Sequence, residues 1–212
     1  MSKPTPASIV IQKPEGAPHQ LFLLFHGVGS NAADLVPVGK QFAARFPKAL
    51  VASAEGLQAS DFGQGRQWFS ITGITEEIRC VRVAAGMPEF RKRIEQWQQE
   101  SGVSAAQTTL IGFSQGSIMS LESTQHEPAL AAHVIAFSGR FAAVPKLAPR
   151  TTAIHLIHGD ADSVLPADYS RNAAQQLQTL GATVTLDIEP AMGHGINAHM
   201  VAMALDRVSA QE

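Results

Sequence analysis

Apolar residues in this chain gather in short runs separated by amphipathic stretches. Residues 8–12, 20–25, 49–54, 108–111, 134–137, 153–157 and 183–188 are each of strand length. The run 20–25 is almost continuously apolar, which predicts a central strand covered on both faces. Between the runs, helical spacing predicts helices over 37–46, 76–99, 115–125, 166–180 and 197–208. Gly86 and Pro88 predict a break in the second, because proline lacks a backbone donor and its ring clashes with the preceding turn. Gly181 reads as the stop of the fourth. Alternating strands and helices imply parallel pairing through right-handed crossovers, an α/β architecture. Residues 56–73 follow neither period and carry Trp68 and Phe69, so they are expected to form an irregular loop packed over something functional.

Composition narrows the classes. A chain of 212 residues suits one domain spanning 1–212, with residues 56–75 as an active-site loop. The formal net charge is -2 and no dense Lys/Arg cluster occurs, so no nucleic-acid partner is expected. The single cysteine, Cys80, cannot form an internal disulfide, which fits a reducing compartment. It has no strand-to-helix elbow around it and reads as a structural thiol. No apolar segment approaches a signal peptide or a membrane span, so a cytoplasmic protein without stable membrane insertion is expected. There is no H-E-x-x-H, no P-loop and no G-x-G-x-x-G after a strand, so neither a metal nor a cofactor is expected.

The sharpest motif is Gly112-Phe113-Ser114-Gln115-Gly116, a G-x-S-x-G that follows an apolar run and opens a helix. A turn this tight strains the serine, and small flanking residues relieve the crowding. Ser114 then projects at the top of the sheet, where the next helix N-terminus supplies positive potential for an oxyanion. His26-Gly27-Val28-Gly29 follows the run 20–25, and its glycines let the backbone approach the nucleophile. The expected oxyanion donors are the backbone N–H groups of Val28 and Gln115. The His26 side chain reads as a loop organiser rather than a base.

The chain order of this fold is serine, acid, histidine. His126 lies far along the helix that leaves the elbow, and His133 and His155 sit at strand starts, away from the strand carboxyl ends where such sites form. His158 ends a strand just before Gly159-Asp160-Ala161-Asp162 and is expected to fix that turn. Asp162 lies further into the loop and is preferred as the acid, with Asp160 holding the turn through its own backbone. His194, between Gly193 and Gly195, is preferred as the base over His199 in the last helix. These residues suit acyl transfer through an acyl-enzyme.

Taken in order, Leu24-Phe25-His26-Gly27-Val28-Gly29, Trp68-Phe69, Gly112-Phe113-Ser114-Gln115-Gly116, His158-Gly159-Asp160-Ala161-Asp162 and Gly193-His194 resemble the phospholipase/carboxylesterase family, which includes acyl-protein thioesterases and small bacterial carboxylesterases. The likeness runs over nearly the whole chain. It implies an α/β-hydrolase fold, a three-layer α/β/α sandwich with a mostly parallel sheet of about seven strands and a minimal lid. It implies the same triad, Ser114, Asp162 and His194, the same oxyanion donors, Val28 and Gln115, and in many members a homodimer. The chain departs from the family pattern at Ser70, where aspartate is common, at Ser117, where a second glycine is usual, and at Ser163, where proline is usual. These departures point toward the bacterial esterases rather than the acyl-protein thioesterases. The expected substrates are short- to medium-chain acyl esters, with thioesterase or lysophospholipase activity on the same triad as the alternative. A non-catalytic hydrolase-like binding protein is disfavoured because every triad position is filled. Trp68 and Phe69 are the expected acyl-side wall, joined by Val164, Leu165 and Met192, and Arg66 is the candidate for a polar or anionic leaving group.

Overall fold

The apolar runs become strands of one sheet. The computed structural model describes residues 8–209, so residues 1–7 and 210–212 of the expected domain lie outside the described residues. In chain order the strands are β1 (Ile9–Gln12), β2 (Gln20–Phe25), β3 (Ala49–Ala54), β4 (Gln58–Ala59), β5 (Arg66–Gln67), β6 (Thr108–Phe113), β7 (His133–Phe137), β8 (Ala153–Gly159) and β9 (Val184–Glu189). Seven of them form a sheet in the order β1-β3-β2-β6-β7-β8-β9, and β4 and β5 make a separate two-stranded ribbon. Every pairing in the large sheet is parallel except that of the edge strand β1 with β3. Residues 56–73 are thus less irregular than their sequence suggests, since the ribbon gives them a frame.

Helices cover both faces. They are α1 (Val36–Arg45), α2 (Glu76–Ser101), α3 (Gln115–Ser123), α4 (Asp168–Thr179) and α5 (Ala198–Ser209). Along β2 the side chains alternate between two cores: Leu21, Leu23 and Phe25 join α2, α3 and α4, while Phe22 and Leu24 join α1 and α5. This is the three-layer α/β-hydrolase sandwich, with β6 in the middle carrying the elbow.

The expected break in α2 does not occur. The helix runs unbroken for 26 residues with Pro88 inside it. A mid-helix proline costs ~3 kcal/mol. Against that, Val83, Met87, Phe90 and Ile94 are buried on the sheet, at about 1.5–3 kcal/mol each, so packing wins. Gly86 lies against the Trp68 carbonyl, and a Cβ there would make only ordinary contact at 3.4 Å.

At the amino ends of the strands, remote from the elbow, the rings of His133 and His155 stack with centroids 5.4 Å apart. Their Nδ1 and Nε2 atoms share a hydrogen bond of 3.2 Å, and His155 Nδ1 bonds Thr185 Oγ1 at 2.9 Å. Burial, then the neighbouring His133 and Arg207, push His155 down to about 4, against the opposing pull of Asp187. A folded-state value below the ordinary 6.5 means that unfolding takes up a proton. Stability from this pair is therefore full above about pH 6.5 and falls as the pH drops toward about 4. Denaturant titrations at pH 7 and at about pH 4.5 will show the wild type losing roughly 2 kcal/mol more than a His155→Gln variant over that interval.

Candidate active site

Ser114 connects β6 to α3 with φ 51 and ψ -113, a conformation that L-residues rarely adopt. The glycines two residues to either side make this turn possible. A Cβ on Gly112 would lie 2.4 Å from the Ser117 nitrogen, and one on Gly116 would lie 2.0 Å from the Phe25 carbonyl oxygen. Neither contact is tolerable, so the G-x-S-x-G spacing is steric. The Ser114 amide donates to the Phe137 carbonyl at 3.0 Å, and the Ser114 carbonyl accepts from Ile118 at 3.1 Å. Ser117, where the family pattern has glycine, donates its hydroxyl to the Phe137 carbonyl at 2.8 Å. Gly139 makes room for it, since a Cβ there would lie 2.2 Å from the Ser117 Cβ.

Three loops meet at the carboxyl ends of β6, β8 and β9. Ser114 Oγ lies 3.0 Å from His194 Nε2, and His194 Nδ1 lies 2.7 Å from Asp162 Oδ2. The other oxygen, Asp162 Oδ1, accepts from the amides of Val164 and Leu165, both at 2.9 Å. Burial pushes the Asp162 carboxyl up, but the bonds from His194, Leu165 and Val164 together hold it below its ordinary value. His158 is fully buried behind the acid. It donates Nε2–H to the Leu165 carbonyl at 2.7 Å, bonds Ser170 through Nδ1, and sits 3.2 Å from Asp162 Oδ2. Burial pushes its imidazole down. The expectation for Asp160 needs correcting, because its carboxylate does not merely hold its own turn. It reaches across to accept from the Ala191 amide at 2.6 Å, steadying the loop that carries His194. The His194 ring also packs against Phe113, 5.0 Å between centroids.

Val28 and Gln115, the expected oxyanion donors, lie in the turn after β2 and at the start of α3. Gln115 is the first residue of α3, where N–H groups have no intrahelical acceptor. Neither amide donates to another described group. The 56–73 loop is tied to both turns. The Gln115 side chain accepts from the Trp68 amide and donates to the Phe69 carbonyl, each at 2.7 Å. Trp68 Nε1 donates to the His26 carbonyl at 2.8 Å. Arg66 exchanges backbone hydrogen bonds with Gly29 and Ser30 at 2.9 and 2.7 Å. Asp61 closes the loop on itself, accepting from the Ser70 hydroxyl and from the amides of Ile71 and Thr72. The bonds from Ser70 and Gln67 hold the Asp61 carboxyl well below its ordinary range. Asp61 thus supplies a carboxylate beside Ser70, where the family pattern commonly has its own aspartate.

The expected substrate contacts are only partly assembled. Trp68 and Phe69 are 1% and 3% exposed and belong to the larger core, against Phe25 and Phe90. They anchor the loop, because so much apolar surface is better buried than left facing a solvent-filled site, and the acyl-wall assignment is corrected accordingly. The Arg66 guanidinium is occupied with the Gly56 carbonyl. Val164 is exposed beside Asp162, while Leu165 and Met192 are half-buried. A separate cavity of 580 Å³ lies between α2, α4 and the loop after β7, lined by Glu76, Cys80, Arg140, Val144 and Tyr169 among others; no triad side chain lines it. Among the described residues, no three His, Cys, Asp or Glu side chains are grouped to hold a metal ion, and no helix is long and apolar enough to cross a membrane. Sequence reasoning missed the side-chain roles of Gln115, Asp61 and Asp160. Their partners lie 47, 10 and 31 positions away, so no local pattern could announce them.

Comparison with known proteins agrees with this architecture. A family profile described as Phospholipase/Carboxylesterase matches residues 6–211. The chain is 48% identical over 199 residues to esterase YpfH of Escherichia coli (strain K12), covering 94% of this chain and 86% of that one. It superimposes on the crystal structure of esterase PE8 with a TM-score of 0.85 at 26% identity, covering 97% and 98% of the two chains. The Bacillus cereus carboxylesterase shares the fold at a TM-score of 0.78 and 17% identity, covering 97% and 94%.

The strain at residue 114 can be measured directly. Glycine tolerates positive φ and alanine does not, so Ser114→Gly will be more stable than Ser114→Ala by about 1 kcal/mol or more. Comparing these two variants cancels the lost hydroxyl, and denaturant melts of both will read the difference.

Proposed function

This chain belongs to the phospholipase/carboxylesterase family, a group of serine-hydrolase-type esterases and thioesterases, and we propose that it is a serine carboxylesterase acting on short- to medium-chain acyl esters. The observation that carries the proposal is the continuous relay Ser114 Oγ, His194, Asp162, with links of 3.0 and 2.7 Å. The likeness to esterase YpfH favours ester over thioester substrates.

In this reading His194 Nε2 takes the Ser114 proton as Oγ attacks the acyl carbonyl carbon. Asp162 accepts the Nδ1–H of His194, which fixes the tautomer that leaves Nε2 free, and it then stabilises the imidazolium. The carbonyl oxygen becomes an oxyanion between the amides of Val28 and Gln115, each such donor contributing on the order of 3 kcal/mol to the transition state. The positive end of α3 adds to this field. Collapse expels the alcohol, which leaves with the proton from His194, and an acyl-Ser114 ester remains. Water then gives a proton to the same nitrogen, attacks the acyl carbon, and releases the carboxylic acid as Ser114 is reprotonated.

Val164, Leu165 and Met192 are the candidates for apolar contact with the acyl or alcohol portion. Trp68 and Phe69 serve that surface from behind, by holding residues 56–75 in place. The substrate is small, and no cofactor enters the reaction.

A panel of p-nitrophenyl esters and acyl thioesters of graded chain length tests this reading. Wild type will turn over short and medium esters with a length optimum. Ser114→Ala and His194→Ala will each lose about 10⁴-fold or more in kcat, and Asp162→Asn about 10³- to 10⁴-fold, because the three act as a unit. Asp160→Asn will lose less, since it acts only through the Ala191 turn. Equal turnover by Ser114→Ala would refute the proposal, and a larger loss at Asp160 than at Asp162 would reassign the acid.

A further inference from the structure

His26 is fully buried at the end of β2, and the chemistry above makes no use of its side chain. Its Nδ1 lies 2.6 Å from the Gly27 carbonyl oxygen. A carbonyl has no proton to give, so Nδ1 carries the hydrogen and donates it. The Gly27 oxygen and the Val28 N–H belong to the same peptide unit. In a planar trans peptide these two groups point in opposite directions. Holding the oxygen therefore aims the N–H.

The ring is itself held on its far side. Nε2 accepts from the Gly56 amide at 2.9 Å, and the same amide also donates to Glu55 Oε1 at 3.2 Å. The Glu55 backbone carbonyl is in turn engaged by the buried guanidinium of Arg93. Trp68 Nε1 fixes the preceding peptide by donating to the His26 carbonyl at 2.8 Å.

The elbow solves the same problem differently. There the Ser114 carbonyl is held by the Ile118 amide at 3.1 Å, so the first turn of α3 aims the Gln115 N–H. The turn after β2 opens no helix at that point. Gly27 also lacks a side chain to restrict its rotation, and a Cβ there would crowd the Phe113 ring at 3.2 Å. The Gly27 carbonyl does accept from the Ser30 amide, but at 3.4 Å, so the 2.6 Å bond from His26 is the short restraint that corresponds to the helix bond at the elbow.

We propose that His26 is a positioning residue: by donating from Nδ1 to the Gly27 carbonyl it sets the direction of the Val28 N–H, and the Gly56 amide, donating to Nε2, holds its ring in register. The proposal rests on reading Val28 as an oxyanion donor. It implies that the contact matters chiefly once the oxyanion forms, so its loss appears in kcat rather than in KM.

Two substitutions separate the contacts. His26→Asn places an amide nitrogen where Nδ1 stands and keeps the donor to Gly27, but cannot reach Gly56. His26→Gln places its amide near Nε2, keeps the Gly56 contact and loses the one to Gly27. With folding checked by denaturant melts, the Asn variant will retain kcat within about threefold, while the Gln variant loses about 10- to 100-fold with KM within about twofold. A merely structural histidine would damage both variants alike, and that pattern, or wild-type kcat in the Gln variant, overturns the proposal. Backbone ¹⁵N relaxation gives a readout that needs no substrate. The Val28 order parameter will fall from about 0.85 toward about 0.6 in the Gln variant and stay high in the Asn variant. If that contrast appears while wild type shows no Ser114-dependent turnover, the esterase reading fails and the positioning contact stands. An unchanged Val28 order parameter in the Gln variant defeats the positioning role even where esterase activity is present.

Discussion

A serine forced to φ 51 between a strand and a helix needs neighbours that leave it no alternative. The reversal is completed within one residue, with α3 lying almost on the backbone of β2. The 2.0 Å approach that a Cβ at Gly116 would make to the Phe25 carbonyl measures how little room there is. Such strain costs about 1–3 kcal/mol and persists only where the surroundings over-determine it. Here the constraint comes from parallel strands buried on both sides. The amide of Ser114 is pinned to the end of β7, and Ser117 is pinned to the same carbonyl.

The rest of the site follows from that placement. The loops after β8 and β9 leave the sheet at its carboxyl edge, where parallel strands deliver them side by side. Gly159 lets them touch, since a Cβ there would lie 2.2 Å from the Met192 carbonyl oxygen. Backbone bonds from Asp160 to Glu189 and from Ala161 to Met192 then lock the two loops together. Asp162 and His194, 32 residues apart in the chain, are thereby fixed at 2.7 Å. The carboxylate stays charged because the three hydrogen bonds it accepts from His194, Leu165 and Val164 outweigh its desolvation.

The 56–73 loop is a part of this rigid assembly. It is bound to the elbow through the Gln115 amide, to the turn after β2 through Arg66, and to the core through the Trp68 indole. Gly65 allows the closest approach, with Gly29 directly against it. One element therefore braces both the turn after β2 and the elbow. Buried apolar area makes the loop stay, and directional hydrogen bonds decide where it stays.

Periodicity in the sequence was enough to place the seven strands of the large sheet and to imply a parallel α/β architecture, because burial on both faces demands continuous apolar runs. The elbow was legible for a related reason: a steric requirement within five residues leaves glycines at fixed spacing. The order of serine, acid and histidine, with glycines on both sides of the last, marked Ser114, Asp162 and His194 as residues to bring together. Local rules failed where tertiary packing outweighed them. Pro88 sits inside an unbroken helix because the apolar face of α2 is worth more than the lost hydrogen bond. Trp68 and Phe69 turned inward rather than toward a substrate because the core had space for them. The sequence thus determined which groups could do chemistry, since residue type and short-range sterics are local. Only the tertiary structure decided how the peptides around them are oriented, through His26, Gln115, Asp61 and Asp160, because those contacts depend on where distant segments come to rest.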